Sequence, residues 1–353
     1  MNILHISRTM GQGGAEKVVY QLCNSCPSNI NLFVASTGGN LADKLELNGV
    51  KQFIIPDIDK KNPFLMVKTI IILNRIIRKY NIDIIHSHHR MAAFYSRLLT
   101  FFNKKVKRVY TAHNVFYNKK KLLSFALNNS SIVAVGNGVK NNLVQIFNIS
   151  ADRVNIIYNS VEYPKRISKV DEISKLKKNT IIVAAIGRLS EQKGLDIFIK
   201  SISLCSNKVK ALIVGDGELK PQLLNLVNKL HLEDRVIFLG YRNDVLNIIN
   251  SVDFVVLPSR WEGFPLTPIE TFMMKKTIIA TNIDGNNEII KDQFSGLLFE
   301  KDNYVELSKK INLLSSDNKL RSNLENNAYN EYKKKYSYST FINKYYKLYK
   351  SLR

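Results

Sequence analysis

The chain has 353 residues, long for one hydrophobic core, and its 45% hydrophobic content excludes a disordered chain, so two globular domains are expected. Its formal charge of +23 is uneven, with 24 Lys/Arg against 8 Asp/Glu in residues 1–170 and 28 against 21 thereafter. A Lys/Ile/Asn-rich composition from an AT-biased genome explains many of the lysines but not the asymmetry, which calls for an anionic partner such as phosphates, nucleic acid or an acidic membrane.

In chain order, Met1–Ser7 reads as a short first strand rather than a secretory leader. Further β-branched runs follow at Leu32–Ser36, Phe53–Ile55, Ile82–His86, Arg108–Thr111, Ile132–Val135 and Val154–Ile157. Helical-period segments lie between them, among them Ala15–Asn24, Leu65–Tyr80, Met91–Phe102 and Val139–Phe147. Strands apolar on both faces and separated by helices predict a parallel, doubly wound sheet. The apolar run Leu65–Ile77 is broken by Lys68, Asn74 and Arg75, so it cannot span a bilayer.

After a polar, basic stretch the pattern restarts, with runs at Thr180–Ile186, Ala211–Val214, Arg235–Leu239, Phe254–Leu257 and Thr277–Ala280. The expected organisation is a domain over residues 1–162, a linker over 163–179, a second domain over 180–336, and a closing amphipathic helix over 337–353. Two such domains facing each other would leave a cleft at the carboxyl ends of their strands, where ligands of doubly wound sheets bind. Cys23 and Cys26 are spaced C-x-x-C with no second pair, so neither a disulfide framework nor a zinc site is expected. A reducing, cytoplasmic setting fits the cysteine usage.

Several segments can carry chemistry. Gly11, Gly13 and Gly14 follow the first strand and precede a helix, the geometry of a phosphate loop or of a plain tight turn. The spacing is not G-x-G-x-x-G and no acidic residue ends the second strand, which disfavours a nicotinamide dinucleotide. His86, His88 and His89 end the fourth strand and His113 the fifth; they suit hydrogen bonding to a substrate, or are satisfied strand-end histidines. No carboxylate or thiolate stands at a spacing that would complete a zinc site with them.

In Gly187-Arg188-Leu189-Ser190-Glu191-Gln192-Lys193-Gly194, Arg188 and Lys193 stand five apart on a glycine-bounded loop and can face one diphosphate. The alternative is a solvated basic loop. The stretch from Pro258 to Glu270 turns on Gly263 and Pro265 into a helix, with Thr267 expected as N-cap, Pro268 at the first position and Glu270 closing a capping box. Glu262 falls in the irregular loop before that helix, where a helical role is not available to it.

Together these segments resemble the family 4 glycosyltransferases, retaining enzymes of the GT-B fold, over nearly the whole chain. The matching motifs are G-G-A-E at Gly13–Glu16, D-I-I-H-S-H at Asp83–His88, T-A-H-N at Thr111–Asn114 and Y-N-S-V-E at Tyr158–Glu162. They continue with G-R-L-x-x-x-K-G at Gly187–Gly194, G-D-G at Gly215–Gly217, G-Y-R-N-D-V at Gly240–Val245, the E-x7-E pair Glu262 and Glu270, and S-G-L-L-F at Ser295–Phe299. The resemblance implies that Gly187, Arg188 and Lys193 grip a nucleotide-sugar diphosphate, with the N–H groups near Gly13 and Gly14 approaching it too. Glu270 would take the ribose hydroxyls, Glu262 those of the donor sugar, and His113 would lie at the reacting face. Gly215, Tyr241 and Arg242 would border the nucleobase. Gly263, Phe264, Leu266 and Thr267 would complete the donor contacts, and Glu16, His86 and His88 would meet the acceptor. The last helix would cross back to the first domain.

A UDP-sugar donor and a glycan or lipid-linked acceptor of a bacterial surface-polysaccharide or lipopolysaccharide pathway follow from the same resemblance. No metal is expected, because the one Asp-x-Asp, Asp57-Ile58-Asp59, falls beside a lysine-rich loop. With no convincing covalent nucleophile, a front-face retaining mechanism is expected. The basic-apolar segments Phe101–Arg108 and Phe116–Leu123 suit the anionic inner face of a membrane or are solvated lysine faces. No nucleic-acid module is apparent, and a monomer is the default. The competing functions are a non-hydrolysing sugar-nucleotide epimerase on the same fold, or a basic binding protein with an inactive site.

Overall fold

The computed structural model describes residues 1–11, 13–25, 27, 29–118, 120–164, 166–176 and 179–352. Cys26 lies outside the described residues; Cys23 and Cys205 are buried. The chain divides into two compact units, Met1–Ser160 with Tyr338–Arg353, and Val161–Ser337.

The first unit holds a seven-stranded parallel sheet: β1 Asn2–Ile6, β2 Asn31–Ser36, β3 Lys51–Ile54, β4 Ile84–Ser87, β5 Lys107–Ala112, β6 Ser131–Ala134 and β7 Val154–Ile156, in the order β3-β2-β1-β4-β5-β6-β7. Side chains alternate across it, and both faces are covered. Ile3, Val34, Ile84, Val109 and Val133 pack on one face against the helices Gly14–Asn24 and Tyr338–Ser351. Leu4, Ile6, Phe33 and Ile85 pack on the other against Pro63–Lys79 and Arg90–Phe102. The last helix joins this core because Phe341, Tyr345 and Tyr349 recur every four residues and form one buried stripe.

The second unit holds a six-stranded parallel sheet: β8 Ile181–Ile186, β9 Val209–Val214, β10 Val236–Gly240, β11 Phe254–Leu257, β12 Ile278–Thr281 and β13 Leu297–Phe299, in the order β10-β9-β8-β11-β12-β13. The strand β13, only three residues long, is the element the apolar runs did not predict. Residues expected as a linker belong to this unit: Asp171–Leu176 forms a helix, and the Ser168 and Val170 amides donate to Asn247 and Ser251.

In both sheets the strand order reverses at one place, between β1 and β4 and between β8 and β11. Loops leaving the carboxyl ends of those strands diverge there, which opens the crevice such sheets use for ligands.

Candidate functional site

In the second unit the loops after β8, β9 and β11 converge. Gly194 adopts φ 58°, and a Cβ there would overlap the Pro258 carbonyl oxygen; a Cβ on Gly215 would overlap that of Gly187. Only glycine permits these approaches. Backbone bonds then lace the loops: the Leu189 amide donates to Asp216 O at 3.0 Å, and the Arg260 amide to Gln192 O at 2.8 Å. The Arg260 guanidinium clamps Asp196 and Asp302, each at 2.9 Å.

This lacing places Lys193 Nζ 2.6 Å from Glu262 Oε1, with the two side chains only 19% and 7% exposed. Ser259 Oγ donates to the same oxygen at 2.7 Å, and Gln192 Nε2 reaches Glu262 Oε2 at 3.5 Å. Arg188 stays largely in solvent, paired at 3.3 Å with Glu218. The sequence reading missed Ser259, Gln192 and the Arg260 clamp. The available signal was their position beside Glu262 and Lys193 in loops too irregular for a helical role.

Two expectations for the following helix are corrected. It runs Leu266–Met273 with Pro265 as N-cap and no capping side chain, so Thr267 is not the N-cap and no Thr267–Glu270 capping box forms. Proline fits any first-turn position, where N–H groups lack intrahelical partners, so Pro268 did not fix the register. Glu270 is buried one turn further in. Phe264 is buried, with its ring centroid 6.1 Å from that of Tyr336, so its side chain serves packing and only its backbone remains for a ligand. Arg242 forks onto Asp244 at 2.7 Å and Glu172 at 2.6 Å, tying the end of β10 to the helix Asp171–Leu176. Tyr241 is half exposed and its hydroxyl donates to Asn243.

In the first unit Gly13 caps the helix Gly14–Asn24 without a side-chain bond. Glu16 accepts from Thr9 Oγ1 at 2.9 Å, and its carboxylate folds over Gly13. Asp57 and Asp59 are held by Arg8 at 3.0 and 3.2 Å, and the guanidinium keeps the Asp57 carboxyl below its usual range. His89 caps the helix Arg90–Phe102 through Nδ1 and approaches Asp59 at 3.7 Å.

The other histidines of this unit sit on one face of its sheet. His5 Nδ1 meets His88 Nε2 at 3.0 Å, and His88 Nδ1 meets His113 Nε2 at 3.1 Å. His86 bonds Tyr349 OH at 2.7 Å through Nδ1 and Thr111 Oγ1 at 2.8 Å through Nε2. Burial lowers all four from the ordinary imidazole value, His5 to about 3 and His113 to about 4. The expected acceptor role of His86 is therefore corrected: it is wholly buried and both ring nitrogens are used internally. His88 is buried too, and its Nδ1 meets the half-buried His113. His5, His86 and His88 place ligand atoms within 4.8 Å of one another, but internal bonds take every one of their nitrogens except His5 Nε2. The described ring nitrogens form a hydrogen-bond array. His5 was missed because a lone histidine between Leu4 and Ile6 reads as part of an apolar strand.

Residues 12–163 match the family described as Glycosyltransferase Family 4, and residues 167–331 match Glycosyl transferases group 1. An uncharacterized glycosyltransferase of Methanocaldococcus jannaschii is 30% identical, covering 88% of each chain. The chain belongs to glycosyltransferase family 4. This glycosyltransferase is also 28% identical to the Escherichia coli UDP-Gal:alpha-D-GlcNAc-diphosphoundecaprenol alpha-1,3-galactosyltransferase, over 85% of this chain and 84% of that one. Its fold matches Anabaena HepE in complex with UDP-glucose at TM-score 0.88 and 22% identity, over 99% of this chain and 100% of that chain. A glycosyltransferase of Rickettsia africae matches at TM-score 0.88 and 25% identity, covering 99% and 98%. The fold is GT-B.

Proposed function

We propose that this glycosyltransferase moves a sugar from a UDP-sugar to a lipid-linked glycan in cell-surface polysaccharide synthesis, with retention and without a metal. The observation that carries the donor assignment is the Lys193–Glu262 pair at 2.6 Å, set at the strand-order reversal of the second sheet. Breaking the sugar–phosphate bond places positive charge on the anomeric carbon and negative charge on the leaving diphosphate. Lys193, sheltered beside Glu262, stabilises that diphosphate as a preorganised cation, and the solvent-facing Arg188 adds its charge. Glu262 fixes the Lys193 ammonium and accepts from the sugar hydroxyls. Glu270 accepts from the ribose. The uncapped N–H groups at Leu266 and Thr267 suit a phosphate or a sugar hydroxyl. In the first unit, Gly13, Gly14 and His113 lie beyond the carboxyl ends of β1 and β5, where we infer that they serve the transfer.

The names of the relatives support the substrate classes. The E. coli relative uses UDP-Gal and an undecaprenol-linked acceptor, and a Campylobacter jejuni relative, 25% identical over 346 residues, acts on a diphospho-undecaprenol glycan. No helix among the described residues is long and apolar enough to cross a membrane. The test is a panel of nucleotide sugars scored by slow donor hydrolysis and by transfer to an undecaprenyl-diphosphate glycan, with and without EDTA. NMR of the product's anomeric proton reads the stereochemistry. Isomerisation of a donor in the absence of acceptor would replace transfer with epimerase activity, and an EDTA-sensitive rate would reject metal independence.

A further inference from the structure

The chain His5–His88–His113 carries information about where its protons sit. The three imidazoles are neutral, since burial disfavours the charged form at each. A neutral imidazole has one N–H and one lone pair, so each N···N contact, at 3.0 and 3.1 Å, needs one donor facing one acceptor. Two orderings satisfy both contacts. With protons on Nε2, His113 donates to His88 and His88 to His5, which strands the His5 Nε2–H. That atom is buried and has no partner among the described residues. With protons on Nδ1 the direction reverses, His5 donating to His88 and His88 to His113, and the stranded atom is only a lone pair. A buried N–H without a partner is the rarer defect.

We propose that His5 and His88 are positioning residues that hold His113 as its Nδ1–H tautomer. His113 then presents a hydrogen-bond donor, and no acceptor, beyond the carboxyl end of β5. His113 is half-buried, and no described residue bonds its Nδ1, so that N–H is left for an oxygen of a ligand, a sugar hydroxyl or a phosphate. The step from tautomer to activity rests on the reading that His113 serves the transfer.

The proposal is tested on the full-length chain labelled with ¹⁵N-histidine, using two-bond ¹H–¹⁵N spectra at pH 7 with assignments from single substitutions. Nδ1-protonated His5, His88 and His113 are expected. An Nε2-protonated His113 in the wild-type chain overturns the proposal. In His5→Leu the ordering loses its anchor, so His113 should turn to a tautomer mixture and kcat should fall about 10-fold, a part of the loss that a missing donor or a wrong tautomer produces. Thermal stabilisation by UDP should persist in this variant. His5→Asn, whose side-chain amide can donate from the Nδ1 position, should restore both the spectrum and kcat. An unchanged His113 spectrum in a folded His5→Leu also overturns the proposal. A mixed tautomer with wild-type kcat upholds the relay and instead removes His113 from the transfer.

Discussion

Lys193 has three N–H donors, and Glu262 takes one of them at 2.6 Å. The other two can face the diphosphate, so the carboxylate aims the cation rather than consuming it. Lys193→Ala should therefore lower kcat/KM by about 10²-fold or more, the scale of losing one charge partner of a transition state. Ser259 and Gln192 remain to bond Glu262, so the variant should fold, and wild-type turnover would refute the diphosphate assignment. Glu270 can now be tested more sharply, because the helix Leu266–Met273 starts without a capping box. Glu270→Gln should raise the donor KM about ten-fold, the effect of exchanging a charge-assisted hydrogen bond for a neutral one. A donor KM at the wild-type value would leave Glu270 as a buried helix residue with no part in ribose binding.

At the scale of elements, the polar face shared by β1, β4 and β5 joins the sheet to the last helix. Tyr349 OH bonds His86 Nδ1 at 2.7 Å, and Tyr345 OH bonds Thr111 Oγ1 at 3.1 Å. Tyr349→Phe leaves a buried ring nitrogen without its partner and should cost about 1–3 kcal/mol in urea unfolding. The same array sets a pH dependence. His5 has a folded value of about 3 against 6.5 for the free side chain, and His86 and His88 are displaced in the same direction. Below pH 6.5 the unfolded chain binds protons that the folded chain refuses. This stability is thus fully present above pH 6.5 and is lost as pH falls toward the folded value. Each fully buried histidine contributes a slope of about 1.4 kcal/mol per pH unit in that window. Urea midpoints at pH 7 and 5.5 should differ accordingly, and less so in His5→Phe; equal midpoints would mean that the array is not held neutral.

At the scale of the whole molecule, the two sheets were legible because strands buried on both faces must be continuous β-branched runs. The site was legible where chemistry forces a residue type, as at Lys193, Glu262 and the glycines at 194 and 215. The rest was hidden for physical reasons. Pro268 fits several helix registers, His5 stands between two apolar residues of a strand, and β13 is too short to show a period. The surface carried a further misreading. Arg108, counted with a basic patch, is buried, and its guanidinium donates to the carbonyls of Ala126 and Asn128. The exposed apolar side chains there are instead Phe101 and Phe102, with Arg97 over the Phe101 and Phe125 rings; Phe64, Val67 and Ile71 of the helix Pro63–Lys79 are exposed as well. Exposed apolar rings among lysines, on a chain of charge +23, suit an anionic bilayer, where each basic residue near the surface adds about 1 kcal/mol. The protein should float with vesicles containing anionic lipid and not with neutral ones, and should release as salt shortens the screening length below about 8 Å. Phe101→Ser with Phe102→Ser should weaken flotation without altering donor hydrolysis, which separates membrane contact from the donor site. Equal flotation with neutral vesicles would show that charge does not direct the protein to the membrane.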